Sequence, residues 1–300
     1  MERVWGGRRL ETLFGRSLPS ETRVGESWEV VDRPEAQSVV SSGGAYRGMT
    51  LHDLWSAHRG LFGERYRGCT GRFPLLIKFL DAAEHLSVQV HPPPEKAAEL
   101  NGEPKSEMWY VMAAEPGAVV YAGLKSGTTR RDFERALAEG RVAEWLHQLP
   151  TRAGDCIYIP SGRVHAIGGG NVILEIQQNS DTTYRVFDWN RLGLDGKPRQ
   201  LHMKESLESI RFDDYEPQFQ PKRERLVESP YFVVEELRFA EPLLGAPKED
   251  FALLIPLAGE VVCNGQRFSV GSVFLMPATQ PDRRLAPAAG EACCLRVTIP

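Results

Sequence analysis

The seven residues Leu86-Ser87-Val88-Gln89-Val90-His91-Pro92 alternate polar and apolar side chains with a period of two, the repeat of a half-buried strand. Val88 and Val90 then share one face, while Ser87, Gln89 and His91 share the other. A face bearing a hydroxyl, an amide and an imidazole is costly to bury unless those groups find partners, and a metal with a polar substrate is one such partner. A Gln-x-His pair also occurs as a hydrogen-bonded core pair, so this strand alone leaves both readings open.

The 28 glycines and 21 prolines cut the rest of the chain into similar short, Val- and Ile-rich segments, the pattern of an all-β sandwich or barrel with a few short helices. Leu75 to Asp81, Leu86 to His91, Trp109 to Tyr121, Cys156 to Ile159 and Asn171 to Gln177 read as strands. Val4 to Gly7 and Gly25 to Val31, each carrying a tryptophan, read as edge strands or covering arms. Thr50 to Phe62 is expected to be a short helix with Thr50 as its N-cap, and two short helices are expected between Thr128 and Leu149. The polar stretch Pro217 to Arg225 reads as a linker, dividing the chain into domains 1–225 and 226–300. Beyond it, strands are expected at Tyr231 to Phe239, Phe251 to Leu257 and Cys293 to Ile299.

At 300 residues and 42% hydrophobic content the chain can bury a sizeable core, which argues against disorder. A formal net charge of −4, with acids and bases interspersed, gives no electrostatic basis for nucleic acid or an anionic membrane as a partner. Any anion must be gripped by a local cluster of bases. The five cysteines form no CxxC pair and are odd in number, as expected of reduced thiols in a cytoplasmic protein. No signal-peptide core or membrane-length apolar run is visible.

The segment Gly154-Asp155-Cys156-Ile157-Tyr158-Ile159-Pro160-Ser161-Gly162-Arg163-Val164-His165, written G-x5-P-x-G-x2-H, resembles the second signature of the cupin jelly-roll barrels, in which the histidine points at a metal. Gln89, His91 and, after a proline-rich insertion, Glu107 stand where the first cupin signature carries its ligands, with Gln in place of the first His. Gln89, His91, Glu107 and His165 make a mixed oxygen and nitrogen set without sulfur, compatible with Zn²⁺ and also with Mn²⁺ or Fe²⁺. With one carboxylate and a neutral amide, a divalent ion would retain a net charge of about +1, suited to an oxyanion. The other histidines, His52, His58, His85, His147 and His202, read as surface or packing residues.

The blocks LSVQVHP, KSEMWYV, GDCIYIPSGRVHAI, LEIQQNSDTTYRVFD and the leading VWGG together resemble the type I phosphomannose isomerases of the short bacterial kind, from about residue 4 to about residue 205. The resemblance implies a cupin barrel, one zinc ion per chain on Gln89, His91, Glu107 and His165, and a small sugar phosphate as partner. It implies isomerisation of mannose 6-phosphate to fructose 6-phosphate through a cis-enediol. Ser87, Lys78 and Arg191 match the family's phosphate-contacting positions, except that lysine is expected where this chain has Arg191, which keeps the charge but changes its geometry.

Lys105, Glu107 and Trp109 alternate onto one face, which sets an ammonium beside a ligand carboxylate. Glu175 lies in an apolar run, where a carboxylate serves either a buried salt bridge, to Lys105 or Arg185, or catalysis. Arg185 is suited to hold charge developing on substrate oxygens. Glu175, Lys105 and a water on the ion remain open as the proton carrier, with Glu175 preferred. Gly271 to Pro277 repeats the G-x5-P spacing, but the ligand offset falls on Asp282, so residues from about 226 are expected to form a second, smaller, degenerate cupin-like domain without metal. The assembly is expected to be a monomer or weak homodimer. Alternatives are another metal-dependent cupin enzyme, such as an oxygenase, or a non-catalytic sugar-binding cupin. Lys78, Ser87, Arg185 and Arg191 together favour the isomerase, because neither alternative requires an anion cluster beside its metal.

Overall fold

The computed structural model describes residues 1–42 and 44–300. They fall into two compact units, one of residues Met1–Ser27 with Ile77–Gln220 and the other of Trp28–Leu76 with Pro221–Pro300. The second unit therefore takes residues 28–76, which the sequence reading assigned to a first domain ending at 225. The reason is side-chain packing. Trp55, Phe62, Tyr66 and Phe73 form one aromatic cluster with Phe251, with ring centroids 4.8 to 5.9 Å apart. Aromatics scattered along a sequence do not announce so distant a partner.

Two five-stranded sheets hold most of the first unit's strands. One has the order Cys156–Ile159, Glu107–Ala114, Asn171–Gln178, Leu75–Ala82, Glu26–Val30, and the other Tyr184–Phe187, Val88–Val90, His165–Ile167, Val119–Leu124, Leu146–Pro150. Leu80, Trp109, Val111, Ile157 and Ile173 of the first pack against Val120, Ala122 and Ile167 of the second, as in a jelly roll. Val88, Val90 and Ala166 instead join a separate core with Phe133 and Leu137 of the helix Arg130–Ala138. The apolar face of the opening strand is therefore turned outward onto a helix. Its polar face looks into the space between the sheets.

The helix Arg130–Ala138 begins with a capping box between Thr129 and Asp132, which satisfies end N–H groups that would otherwise lack partners. The second helix expected before Leu149 is only a 3₁₀ turn, Val142–Trp145, followed by the strand Leu146–Pro150. Its buried leucines, Leu146 and Leu149, stand three apart as in a helix yet enter two different cores, and a few residues do not separate the two periods. The helix expected from Thr50 to Phe62 is likewise shorter, Leu51–Ala57, with Thr50 and Asp53 as its capping box.

In the second unit one sheet has the order Arg225–Glu228, Val233–Phe239, Ala292–Thr298, Ala252–Ala258, Phe274–Met276, and another Leu243–Leu244, Arg284–Pro287, Val261–Cys263, Gln266–Phe268. Leu237, Phe239, Leu254, Met276, Leu285 and Cys294 fill its core. Asp282, at the position where a repeat of the metal motif would place its histidine, is exposed and paired with Arg284 at 2.9 Å. No helix among the described residues is long and apolar enough to cross a membrane.

Candidate active site

Strand register brings the candidate residues together. His165 lies directly across from Gln89 on one side, and Arg185 lies across from Gln89 on the other, so Arg185, Gln89 and His165 form a row on one sheet face. The register shifts between Arg185 and Phe187, a bulge of the kind that re-aims a side chain. On the facing sheet Glu107 pairs with Gln177, and Trp109 pairs with Glu175. Gly162 supplies the turn that delivers His165, with φ of 88°, a conformation that favours a residue without a Cβ. The Gly162 amide donates to the His91 carbonyl at 2.8 Å, and the Ser161 amide donates to Ser106 Oγ at 3.1 Å. The two motifs are thus tied together by backbone as well as by side chains.

His91, Glu107 and His165 are essentially fully buried, and their ligand atoms lie within 4.8 Å of one another. His91 Nδ1 contacts the Thr182 carbonyl at 2.8 Å and His165 Nδ1 contacts the Arg163 carbonyl at 2.8 Å. A carbonyl only accepts, so each Nδ1 carries the proton and each Nε2 presents a lone pair. Those two Nε2 atoms are buried without a hydrogen-bond partner, 3.4 Å and 3.5 Å from the two oxygens of Glu107. Burial, with Lys105 adding to it, lowers the His91 pKa to about 4. Burial also lowers that of His165. Neutral imidazoles facing an ionised carboxylate are acceptors facing acceptors, an arrangement that a cation relieves. The spacing agrees: ligands about 2.1 Å from a tetrahedral ion stand roughly 3.4 Å apart. The donor set of His91, Glu107 and His165 and its orphaned nitrogens therefore fit a divalent metal, and strand register sets Gln89 across from His165.

Next to this centre lies a buried charge network. Lys105 Nζ is 2.9 Å from Glu107 Oε2 and 3.4 Å from Glu175 Oε1. Lys78 Nζ is 3.0 Å from the same Glu175 oxygen, and Trp109 Nε1 donates to Glu175 Oε2 at 3.2 Å. The salt-bridge partners of Glu175 are thus Lys105 and Lys78, and Arg185 is not one of them. Burial by itself would lower the Lys105 pKa, but Glu107 and Glu175 reverse that and keep the ammonium charged. Burial likewise pushes Glu107 up, and Lys105 followed by His91 holds it well below the usual carboxylate range instead.

Arg185 donates from Nη1 to the Gln200 carbonyl at 2.8 Å, while its Nε is buried without a hydrogen-bond partner. His202, read from sequence as a packing residue, brackets the Arg185 backbone, accepting its N–H at 3.1 Å and donating its own N–H to the Arg185 carbonyl at 2.8 Å. Ser87 is buried. Arg191 donates to Asp188, at 2.9 Å from Nη2 and 3.2 Å from Nε. Sequence reasoning missed Asp188, Arg199 and Asp181, the last of which helps keep Lys105 charged. Asp188 follows the apolar run Tyr184–Phe187 as Glu175 follows its own, and that signal was available. The backbone carbonyls of Thr182 and Arg163 left none.

Residues 1–121 match the family model for the catalytic domain of type I phosphomannose isomerase. The chain is 38% identical to mannose-6-phosphate isomerase ManA of Bacillus subtilis over 296 residues, 95% of this chain and 90% of that one. It is 43% identical to the mannose-6-phosphate isomerase of Streptococcus mutans over 210 residues, 70% of this chain and 65% of that one. The solved mannose 6-phosphate isomerase from Bacillus subtilis superimposes with a TM-score of 0.86 at 31% identity, covering 100% of this chain and 97% of that one. The enzyme from Salmonella typhimurium, at 16% identity and a TM-score of 0.74 over 100% and 97% of the two chains, shares the fold.

Proposed function

The chain belongs to the type I phosphomannose isomerases, and from that premise we propose that it is a zinc-dependent enzyme of the cytoplasm interconverting mannose 6-phosphate and fructose 6-phosphate. The observation that carries the metal reading is the pair of orphaned Nε2 atoms, on His91 and His165, turned onto the two oxygens of Glu107. Gln89, His91, Glu107 and His165 would hold one zinc per chain. When bound, zinc supplies Lewis-acid polarisation of the substrate oxygens.

The chain's own residues supply the rest. Ring opening exposes C1 and C2; a base removes the C2 proton and returns it at C1 by way of a cis-enediol. Of the two buried candidates beside the centre, Lys105 is held as an ammonium and has no lone pair to offer. Glu175 is the base in this reading, with Lys78, Lys105 and Trp109 fixing its orientation. Arg185, with its unpartnered buried Nε, donates to the oxygen on which charge develops, an interaction whose loss costs about 3 kcal/mol of barrier. Ser87, Lys78 and Arg191 take the phosphate. Lys78, whose ammonium is ion-paired with Glu175 at 3.0 Å, has protons to spare for the anion.

A coupled assay with mannose 6-phosphate, run on metal-replete protein and again after chelation, tests the proposal. Turnover that is lost with the metal and restored by zinc is expected. No isomerisation by zinc-replete protein overturns it, and turnover that survives complete metal removal overturns its metal dependence.

A further inference from the structure

Past Phe187 the chain makes a tight turn, with Trp189 and Asn190 at φ of 56° and 54°. A small hairpin follows, closed by the Gly193 amide on the Lys197 carbonyl at 2.7 Å and by pairing of Leu192 with Pro198. Arg191 and Arg199 stand at its two feet, and both reach the same carboxylate. Arg199 donates from Nε to Asp188 Oδ2 at 2.7 Å and from Nη2 to Oδ1 at 2.5 Å, while Arg191 uses its own Nε and Nη2 on Oδ1. Asp188 is buried, and the two arginine side chains are 15% and 23% exposed, so the cluster faces solvent only through the outer ends of the guanidiniums. In each arginine the Nη1 group is left over.

The cluster is joined to the reaction centre. Phe187 pairs with Val88, and Asp188 and Ser87 are the chain neighbours that adjoin this pair. Arg185 lies close enough that its pKa is lowered by burial and then by the charge of Arg199. Burial is likewise the largest cause of the lowered pKa of Arg191, with Arg199 contributing. Arg191 and Arg199 thus share one carboxylate, with the Arg185 guanidinium near enough to feel their charge, a local excess of positive charge. A phosphate monoester near neutral pH carries about −1.5 to −2. Arginine forks match phosphate oxygens in a way that a single lysine ammonium does not.

We propose that Arg199, outside the phosphate positions the family resemblance implies, is a second guanidinium ligand of the substrate phosphate, held beside Arg191 by their shared carboxylate Asp188. The inference rests on the isomerase reading, for which it names the phosphate grip. Asp188 orients both arginines by occupying Nε and Nη2 of each, which leaves the two Nη1 groups for the anion.

The test measures binding of inorganic phosphate to the metal-replete protein by titration calorimetry, alongside KM and kcat for mannose 6-phosphate. Arg199→Gln is expected to weaken phosphate at least tenfold and to raise KM by a similar factor, with a much smaller change in kcat. The Arg191→Gln/Arg199→Gln double variant is expected to bind phosphate more weakly than either single variant, with the two losses coupled because both arginines share Asp188. Phosphate affinity and KM within twofold of the parent, or an Arg199→Gln change that adds nothing to Arg191→Gln, overturns the proposal. If Arg199→Gln does not fold, Arg199→Lys replaces it. A loss of threefold or more supports the forked contact, and unchanged binding overturns it. A parent protein that binds phosphate through Arg199 but turns over no mannose 6-phosphate sinks the isomerase reading and leaves the anion site standing; an active parent indifferent to Arg199 does the reverse.

Discussion

The Gly162 N–H donates to the His91 carbonyl at 2.8 Å, so the turn that delivers one candidate ligand is anchored on the backbone of another. Gly162→Ala puts a Cβ on a residue with φ of 88° and within 2.9 Å of Arg211 Cγ. The left-handed conformation alone costs roughly 1–2 kcal/mol. The expected result is a lower denaturation midpoint together with a zinc affinity reduced about tenfold or more, since the ligands depend on this support. A variant with unchanged midpoint and unchanged metal titration contradicts the coupling.

Removing the metal should destabilise the protein as well as silence it. Ligand lone pairs turned on one another at 3.4 Å and 3.5 Å have no relief without a cation, and a ligand that binds only the folded state adds about 4 kcal/mol at a thousandfold excess over its Kd. Calorimetric scans before and after chelation should show a drop in Tm that zinc restores. Superimposable scans would rule out a metal site at His91, Glu107 and His165.

Glu175→Gln preserves the shape of the side chain and its contact with Trp109 but removes the carboxylate shared by Lys78 and Lys105. Loss of a general base lowers turnover by about 10²–10⁴, while zinc content should stay at one per chain. Activity within about tenfold of the parent excludes Glu175 as the base. Loss of zinc along with activity would make its role structural.

Asp32, in the second unit, is fully buried. It accepts from the Phe73 N–H at 2.8 Å, Gln37 Nε2 at 2.9 Å and Arg72 Nη1 at 2.7 Å. Burial acts to raise its pKa, but Gln37, the Phe73 amide, His52 and Arg72 more than offset it, and the net shift is downward. A depressed folded pKa means stability that is fully present above the unfolded value of about 3.9 and is lost as pH falls through the folded value. Asp32→Ala should therefore cost at least about 2 kcal/mol at pH 7, given the buried donors left unpaired. The gap between variant and parent should narrow below about pH 4. Denaturant melts at pH 7 and pH 3 measure it, and a gap of equal size at both contradicts the assignment.

The convergence of His91 and His165 was legible because strand alternation and the G-x5-P-x-G-x2-H spacing are local properties, readable within a dozen residues, and Glu107 joins them. The all-β class followed from the same alternation. The partners of Glu175 were legible only in part: same-face alternation put Lys105 near Glu107, but Lys78 belongs to a strand whose neighbour is set by topology. Arg199 was not legible at all, because its link to Asp188 spans a hairpin whose closure depends on two residues in the left-handed region. The allegiance of Trp55 to Phe251 was equally hidden, since apolar residues report that they are buried and not against what.

The interleaved make-up of the two units orders events on the ribosome. Residues 1–27 emerge first, yet their unit resumes only at Ile77 and can close once Gln220 is out. Trp55, Phe62, Tyr66 and Phe73 emerge before most of that unit and wait for Phe251. During synthesis the catalytic sandwich can thus be finished while this aromatic patch is still bare. A nascent chain stalled between those two points would carry a folded centre of His91, Glu107 and His165 and a bare aromatic segment in the same molecule.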